Sequence, residues 1–233
     1  MKLAVMQPYT FPYIGYFQLV NAVDKFIFYD DVNYIKGGWI NRNNILINNK
    51  TNLFTIPIIK PSSYKMIKDT ELRSYVEWRD KFNTTLKYNY KKAPYYSETI
   101  KIINDITNGK HTSISEVAIN SVKVISDKLK LDTIFEESSK QYPETKKLEK
   151  ADRLIKISKL NTAHQYINPS GGKDLYDKQY FKKHGIELSF IRNEITPYKQ
   201  FNNDFIGGLS IIDVMMFNSI EEIKVMLNNY ILE

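Results

Sequence analysis

The sequence contains no cysteine, which excludes disulfide bonds and thiolate metal sites. Its three histidines, His111, His164 and His184, lie far apart in the chain, so we expect no histidine-based metal site. The chain has no stretch of roughly eighteen apolar residues, and hence no candidate for a membrane-spanning helix. The first residues hold a short apolar run that does not resemble a signal peptide. Together these absences predict a cytoplasmic protein.

Glycine and proline are also sparse, with 9 and 8 residues in a chain of 233. The hydrophobic share of 42% and the charged share of 25% are typical of a globular protein rather than a disordered one. A chain of this length can bury a sizeable core within one domain. We therefore predict a single domain over residues 1–233, with a helical insertion at residues 60–108.

The net charge is +7, from 33 Lys and Arg residues against 26 Asp and Glu residues. Such an excess can steer phosphate-bearing ligands to a surface, although an AT-rich coding bias towards Lys, Asn and Ile explains it equally well. The densest basic cluster, residues 146–150, is interrupted by Leu148 and Glu149 and is typical of a solvated helix face. We predict a small-molecule ligand and no binding of long nucleic acids.

The first thirty residues have the pattern of a βαβ unit. Residues 3–6 form a short apolar run typical of a buried strand, and prolines and a glycine make residues 7–15 irregular. Apolar residues then fall at helical spacing to Val23, and a second apolar run follows at residues 26–29. This order favours a parallel sheet.

The same alternation returns in the last hundred residues. Ser113 with Glu116 and Ser219 with Glu222 are capping boxes that predict two helix starts. The fold class that we predict is α/β, a mostly parallel, Rossmann-like, three-layer sheet. Further predicted strands are residues 52–59 (at an edge, because of Pro57), 133–136, 164–167 and 186–191, and further predicted helices are residues 77–90, 151–160 and 177–184.

The first candidate site is the loop of residues 7–18, between the first strand and its helix. In a parallel sheet this is the crevice where ligands bind, and the free N–H groups of a helix start favour an anion there. The spacing is similar to a nucleotidyltransferase loop, with Tyr16 where that loop carries histidine. Packing of the loop by its own aromatic and proline side chains is the alternative. The candidate binding residues are Gln7, Tyr9, Tyr16 and Gln18.

The second candidate site follows the second strand. Asp30 and Asp31 are the candidate catalytic residues, because carboxylates at a strand end can act as a general base, hold a divalent cation or bind sugar hydroxyls. Trp39 can stack on a sugar face, and Arg42 can grip a phosphate through two hydrogen bonds. An ordinary polar loop is the alternative. The candidate binding residues here are Lys36, Trp39, Asn41 and Arg42.

The third candidate site is Ser170, Gly171 and Gly172, again directly after a predicted strand. Small residues allow backbone amides to surround an anion. A Ser-Gly-Gly sequence is equally typical of a simple turn. We include all three residues among the candidate binding residues.

Several of these segments resemble the WbqC-like protein family. The resemblance extends along essentially the whole chain, through residues 6–9, 11–18, 29–32, 39–43, 93–96, 169–172 and 209–213. Members of this family are associated with gene clusters for O-antigen and other surface glycans. The resemblance therefore implies a role in surface-polysaccharide biosynthesis and does not imply a particular reaction or cofactor.

The leading hypothesis is an acyl or aminoacyl transferase that acts on a nucleotide-linked amino sugar. Asp30 or Asp31 would take the proton from the sugar amine, and Lys36 and Arg42 would hold the diphosphate. Gln7 and Tyr16 would position the acyl donor. A nucleotidyltransferase or ATP-dependent ligase is one alternative. A non-catalytic assembly factor, which binds glycan enzymes or a lipid-linked precursor, is another.

Overall fold

The computed structural model describes residues 1–201 and 204–233. They form strands, α-helices and short 3-10 turns. The strands and α-helices, in chain order, are β1 (Lys2–Met6), α1 (Ile14–Asn21), β2 (Lys25–Phe28), β3 (Arg42–Ile47), β4 (Lys50–Thr55), α2 (Tyr75–Tyr90), α3 (Tyr96–Thr107), α4 (Ile114–Lys128), β5 (Ile134–Glu137), α5 (Ser138–Gln141), α6 (Lys150–Leu160), β6 (Gln165–Pro169), α7 (Lys178–Lys183), β7 (Glu187–Asn193), α8 (Ile211–Phe217), α9 (Ile220–Leu227) and β8 (Tyr230–Leu232).

A six-stranded sheet in the order β5-β2-β1-β6-β7-β8 forms the centre of the molecule. Its first five strands are parallel, and β8 pairs antiparallel with β7. The chain moves outward from β1 through β2 to β5 and then returns to β6 on the other side of β1. This order confirms the predicted Rossmann-like α/β fold, with its topological switch between β1 and β6.

The two faces of the sheet bury different helices, because successive side chains of a strand point to opposite sides. On β1, Leu3 and Val5 pack in the cluster that contains α6 and α7 residues. Ala4 packs on the opposite face in the larger cluster, which contains residues of α1, α3, α4, α8 and α9. The sheet is therefore the middle layer of three.

Strands β1 and β6 separate at the switch point. Their pairing covers only Lys2 with Gln165 and Leu3 with Tyr166, whereas β1 and β2 pair over four residues. Beyond the last pair, the Tyr166 hydroxyl donates to the carbonyl of Val5 at 3.3 Å. A side chain of the core thus bridges the place where the two strands part.

Both predicted capping boxes are confirmed. The Ser113 hydroxyl accepts from the backbone N–H of Glu116 at the start of α4, and Ser219 accepts from that of Glu222 at the start of α9. The glutamate side chains complete each box by accepting from the backbone N–H of the serine. These reciprocal bonds satisfy N–H groups that a helix start would otherwise leave unpaired.

The hairpin of β3 and β4 differs from the sequence-based expectation. We expected an extended run at residues 52–59, whereas β4 is Lys50–Thr55. The first three residues of β3 belong to the polar segment of residues 30–44, for which an ordinary loop was the alternative. Asn48 and Asn49 make the two-residue connection with φ angles of 48° and 62°. Asparagine tolerates this left-handed conformation, which two-residue hairpin turns require. Polar side chains at the first three positions of each strand hid the alternation.

A buried carboxylate anchors the C-terminal half to the rest of the core. Asp213 of α8 is fully buried and accepts hydrogen bonds from the Tyr90 hydroxyl, the Tyr198 hydroxyl and the Gln200 amide at 2.7–2.8 Å. Tyr90 in turn accepts from the N–H of Leu46 on β3. Burial raises the pKa of Asp213, because no cation compensates the loss of water. The network joins α2, α8 and the hairpin.

No helix of residues 1–201 and 204–233 combines the length and the apolar character that a membrane-crossing segment needs.

Replacing Asp213 by Ala should lower the free energy of unfolding by about 3 kcal/mol at neutral pH, because three buried donors lose their shared acceptor. Chemical denaturation of both proteins measures this difference. The matched control is Asp105→Ala, because Asp105 is exposed on α3. We expect it to change stability by less than about 0.5 kcal/mol. Equal losses for the two variants would contradict the anchoring role.

The pKa direction of Asp213 also predicts a pH dependence. In the folded protein the pKa of Asp213 is raised above its unfolded value, so the protonated carboxyl stabilises the fold more than the ionised carboxylate does. This proton-linked part of its contribution is fully present below the unfolded pKa and is lost as pH rises through the folded pKa, whereas the hydrogen bonds that Asp213→Ala removes are also present at neutral pH. The free energy of unfolding of the wild type, minus that of Asp213→Asn, should therefore fall as pH rises from about 4. Denaturation series at several pH values measure this difference, and one that is constant or rises would contradict the prediction.

Candidate functional site

A polar cavity of about 530 Å³ lies at the carboxyl edge of β2 and β5. We call it the edge cavity. The segments that line it follow β2 and β5, precede α2 and begin α4, so four separate parts of the chain contribute. Its lining residues are Asp30, Lys68, Asp69, Ser113, Ser115, Glu116, Ile119, Asn120, Lys123, Glu137, Ser139 and Lys140.

The Asp30 carboxylate is oriented by the start of α5. It accepts from the backbone N–H of Ser139 at 2.9 Å and from the Ser139 hydroxyl at 2.6 Å. The Ser138 hydroxyl lies 3.1 Å from the same oxygen that accepts from the Ser139 N–H. The backbone carbonyl of Asp30 accepts from the N–H of Lys68, which brings the segment before α2 to the same edge. A carboxylate fixed in this way can accept a proton or bind a sugar hydroxyl.

Asp31 occupies a different environment from its neighbour. Arg153 of α6 donates to its carboxylate at 2.6 Å, and both side chains are almost fully buried. The Ser138 hydroxyl also contacts this carboxylate at 2.5 Å. The Arg153 guanidinium lies 4.6 Å from the ring centroid of Tyr29, a cation–π contact. Asp31 is therefore part of an internal ion pair, whereas Asp30 lines the cavity.

Charges of both signs line the edge cavity. Glu137 pairs with Lys140 at 2.8 Å and lies 3.8 Å from Lys123. The hydrogen bond that Lys140 donates to Glu137, with the nearby carboxylate of Asp30, raises the pKa of Lys140 and keeps its ammonium charged. The cavity thus offers a fixed ammonium close to two carboxylates, an arrangement that fits a ligand with both hydroxyl and amine groups.

The N-terminal turn of α4 forms another wall of the edge cavity. Ser115 is buried there, and its hydroxyl oxygen has no hydrogen-bond partner in the part of the chain that the structure describes. The Glu116 carboxylate accepts from the N–H groups of Thr112 and Ser113, so the helix start already has an acidic partner. An additional anion is therefore not favoured at this end of the cavity.

A second cavity, of about 430 Å³, lies between the hairpin and the loops on either side of it. We call it the basic cleft, because Lys36, Arg42 and Arg73 line it and no carboxylate does. Among the described residues, none of these three side chains forms a salt bridge. The Arg42 guanidinium donates one bond, to the carbonyl of Gly38 at 2.9 Å. Most of its donors remain free for an anion.

Asn41 supports the floor of the basic cleft. Its amide donates to the carbonyl of Ile56 and its oxygen accepts from the Tyr34 hydroxyl, both at 2.8 Å. Trp39 is half-exposed beside the cleft, with the Arg42 guanidinium 5.9 Å from its ring centroid. Three of the candidate binding residues, Lys36, Asn41 and Arg42, thus line one cavity.

The candidate residues of the 7–18 loop lie inside the protein. Tyr16 is buried and donates to the carbonyl of Gln7 at 3.0 Å, and burial raises its pKa, so this donor stays protonated. Tyr9 packs against it with ring centroids 5.6 Å apart. Gln18 is fully buried, and its amide lies 2.8–3.0 Å from three backbone carbonyls near the C-terminus. None of these four side chains lines the edge cavity or the basic cleft.

The candidate residues after β6 form a 3-10 turn, Ser170–Gly172, at the same carboxyl edge of the sheet. A Cβ at Gly172 would lie 2.0 Å from the amide nitrogen of Asn168, so a larger residue there would displace the Asn168 side chain. Gly171 has open space around it and could tolerate a side chain. This turn lines neither cavity. Of the candidate residues, Asp30 thus lines the edge cavity, and Lys36, Asn41 and Arg42 line the basic cleft.

Sequence reasoning missed most of the edge cavity. Glu137, Ser138 and Ser139 directly follow a strand that we predicted, at the sheet edge where we placed Asp30. Asp30 was identified as a polar residue directly after a predicted strand, and the same criterion would have identified these three residues. Lys123 and Asn120 lie one to two turns inside α4, where the sequence offers no such signal.

No group of three or more His, Cys, Asp or Glu side chains in residues 1–201 and 204–233 is arranged to hold a metal ion. Three of the four carboxylates of the edge cavity, those of Asp30, Glu116 and Glu137, instead accept from hydroxyl, backbone N–H and ammonium donors.

Comparisons with known proteins agree with the motifs. The uncharacterized protein Rv1507c of Mycobacterium tuberculosis is 27% identical over 220 residues, which cover 93% of each chain. No solved structure matches the chain significantly. A model of the WbqC-like protein family matches residues 7–225, which include every residue of both cavities. The chain therefore belongs to the WbqC-like protein family.

Proposed function

We propose that the chain is a transferase of surface-polysaccharide assembly, which adds an acyl or aminoacyl group to the nitrogen of a nucleotide-linked amino sugar. The observation that carries this proposal is the edge cavity, in which an oriented carboxylate, Asp30, lines a polar space large enough for a sugar. Small-molecule sites are commonly clefts of about 300–1,000 Å³ with a few fixed polar groups.

The lining of the edge cavity fits a hydroxyl-rich ligand. The ammonium of Lys140 and the amide of Asn120 can donate hydrogen bonds, and the carboxylate of Glu137 can accept them. Ser115 contributes a buried hydroxyl whose hydrogen-bonding capacity is not used by the described residues. These groups can hold a sugar ring by several bonds at once, which is how an amine would be positioned for reaction.

The basic cleft supports the nucleotide-linked form of the substrate. Lys36, Arg42 and Arg73 have no acidic partner in the lining, and Arg binds phosphate oxygens through two parallel hydrogen bonds. The rest of the lining is largely apolar, including Ile56 and Pro57. A nucleoside diphosphate offers both phosphate groups for the cations and a flat base for the apolar wall.

The two cavities are close enough to serve one ligand. Asp30 lines the edge cavity and Tyr34 lines the basic cleft. Asp30 and Tyr34 are four positions apart in the chain, and a fully extended backbone of that length spans at most about 14 Å. This distance is comparable with the length of a nucleotide-linked sugar, so the phosphates and the sugar amine can occupy different cavities.

In the proposed reaction, the sugar nitrogen attacks the carbonyl carbon of an acyl donor. A new N–C bond forms, the bond between that carbon and the donor's leaving group breaks, and the leaving group departs with its electron pair. The amine proton passes to the Asp30 carboxylate. Asp30 is favoured over Asp31 for this role, because Arg153 neutralises Asp31 inside the protein.

The Asp30→Asn protein should lose transfer activity. An amide cannot take the proton, and general-base catalysis contributes about 100-fold or more to rate. The measurement is mass spectrometry of the surface glycan from a strain that lacks the gene, complemented with either protein. We expect the wild type, and not Asp30→Asn, to restore the missing substituent. The variant keeps one oxygen for the N–H of Ser139, and its amide can donate to the Ser139 hydroxyl, so its thermal unfolding should stay close to that of the wild type.

The control for this experiment is Asp132→Asn, because Asp132 is an exposed carboxylate before β5. It should restore the glycan as fully as the wild type does. A complete glycan in cells with the Asp30→Asn protein, at equal protein abundance, would refute the role of Asp30. A glycan that the gene deletion leaves unchanged would refute the biosynthetic role itself.

Substitution of the cleft cations should weaken nucleotide binding. Arg42→Gln and Arg73→Gln should each reduce the affinity for uridine diphosphate by about tenfold or more, because each removes a charged hydrogen-bond donor to phosphate. Isothermal titration calorimetry measures this affinity. Arg79→Gln is the control, because Arg79 pairs with Asp80 on α2 and does not line the cleft. Equal affinity in all four proteins would exclude the cleft as the phosphate site.

A further inference from the structure

Most of the net positive charge of the chain comes from one segment that has no acidic residue. Residues 32–68 contain six Lys or Arg residues and no Asp or Glu, in a chain whose formal net charge is +7. Lys65 pairs with Glu71 at 2.9 Å, and Lys36 and Lys60 form no salt bridge with any described residue. This segment therefore presents a cationic surface that the protein does not neutralise.

Large apolar side chains are exposed in the same segment. Ile35 is 49% exposed, Trp39 47%, Ile59 38% and Tyr64 96%. They lie in two loops, residues 35–39 and 59–65, on either side of the hairpin in sequence. Isolated exposed apolar residues are common on protein surfaces, but four of them in two short loops rich in lysine form a pattern.

The two loops lie side by side. The N–H of Tyr34 donates to the carbonyl of Lys65 at 2.8 Å, which joins the base of one loop to the end of the other. Lys36 and Pro61, one from each loop, line the same basic cleft. We call the exposed surface of these loops the loop patch. It consists of Ile35, Lys36, Trp39, Ile59, Lys60 and Tyr64.

We propose that the loop patch docks the protein on a membrane surface that contains anionic phospholipid. Trp and Tyr side chains favour the region of the lipid headgroups, where an apolar ring and a polar tip are both satisfied. Each Lys or Arg close to an anionic leaflet strengthens binding by about fivefold. The two aliphatic side chains favour a bilayer over a nucleic acid, because isoleucine gains burial among acyl chains and cannot stack on bases.

This inference does not depend on the transfer reaction. It requires surface association only, and the loop patch residues Trp39, Tyr64 and Lys60 do not line the basic cleft. A docked membrane would lie beside the cleft, because Lys36 belongs to both surfaces. Vesicle binding without substrate therefore tests the docking alone, and its failure would leave the proposed transferase unaffected.

The test is co-sedimentation of the full chain with vesicles of phosphatidylcholine and phosphatidylglycerol, and with vesicles of phosphatidylcholine alone. We expect the protein to sediment with the anionic vesicles at least about tenfold more strongly, and to be released by high salt. Trp39→Ser with Tyr64→Ser, and separately Lys36→Gln with Lys60→Gln, should each reduce this binding by about tenfold or more.

The matched control is Lys159→Gln with Leu160→Ser, because Leu160 is also 47% exposed, lies beside a lysine and belongs to α6, far from the loop patch in the chain. This protein should bind vesicles as the wild type does. A spectroscopic readout comes from Trp78→Phe, which leaves Trp39 as the sole tryptophan of two in the sequence. Its fluorescence should shift to shorter wavelength on anionic vesicles.

Three results would overturn the proposal. One is equal sedimentation of the wild type with anionic and neutral vesicles. Another is an equal loss of binding in the control and in the loop patch variants. The third is tight binding of a single-stranded oligonucleotide through the loop patch with no vesicle binding, which would identify a nucleic-acid surface instead.

Discussion

A buried ion pair at the carboxyl end of β2 fixes the segment that carries Asp30 into the edge cavity. Asp31 and Arg153 are almost fully buried, and removal of one partner from such a pair costs about 3–5 kcal/mol. The pair ties β2 to α6 on one face of the sheet, and Ser138 ties the same carboxylate to the end of β5. Asp30, the residue before this pair, lines the edge cavity, where the backbone N–H and hydroxyl of Ser139 orient its carboxylate.

The elements that could be predicted from the sequence are those specified by local signals. The first strand, helix and second strand follow from apolar spacing, and the starts of α4 and α9 follow from serine and glutamate three residues apart. The parallel sheet follows from the alternation of these elements, because parallel strands need long crossovers. The hairpin of β3 and β4 was missed because asparagines on β3 made a strand with the pattern of a loop. Apolar spacing and capping residues were therefore sufficient to predict an element wherever polar residues did not interrupt the pattern.

The site could be predicted only in part, because the use of a polar side chain depends on distant residues. The Gln18 amide, a ligand-binding candidate by position, lies within 3.0 Å of carbonyls that are 176 to 211 residues further along the chain. Arg153 was not a candidate, yet it forms a buried ion pair with Asp31. The sequence pattern of α6 does not distinguish such an arginine from a solvated one. Asp30 and Asp31 are adjacent and chemically equal in the sequence. Only the positions of Arg153 and Ser139 give them different environments.

The distribution of charge explains how one ligand could use both cavities. The basic cleft is lined by three cations and no carboxylate, whereas four carboxylates and three lysines line the edge cavity. Phosphate groups would therefore be attracted more strongly to the basic cleft than to the edge cavity. At physiological ionic strength, exposed charges interact weakly beyond about 8 Å, so the two regions would act on different ends of a nucleotide-linked molecule. The sugar end carries no phosphate and can approach Asp30, and its amine would be attracted by the carboxylates of the edge cavity.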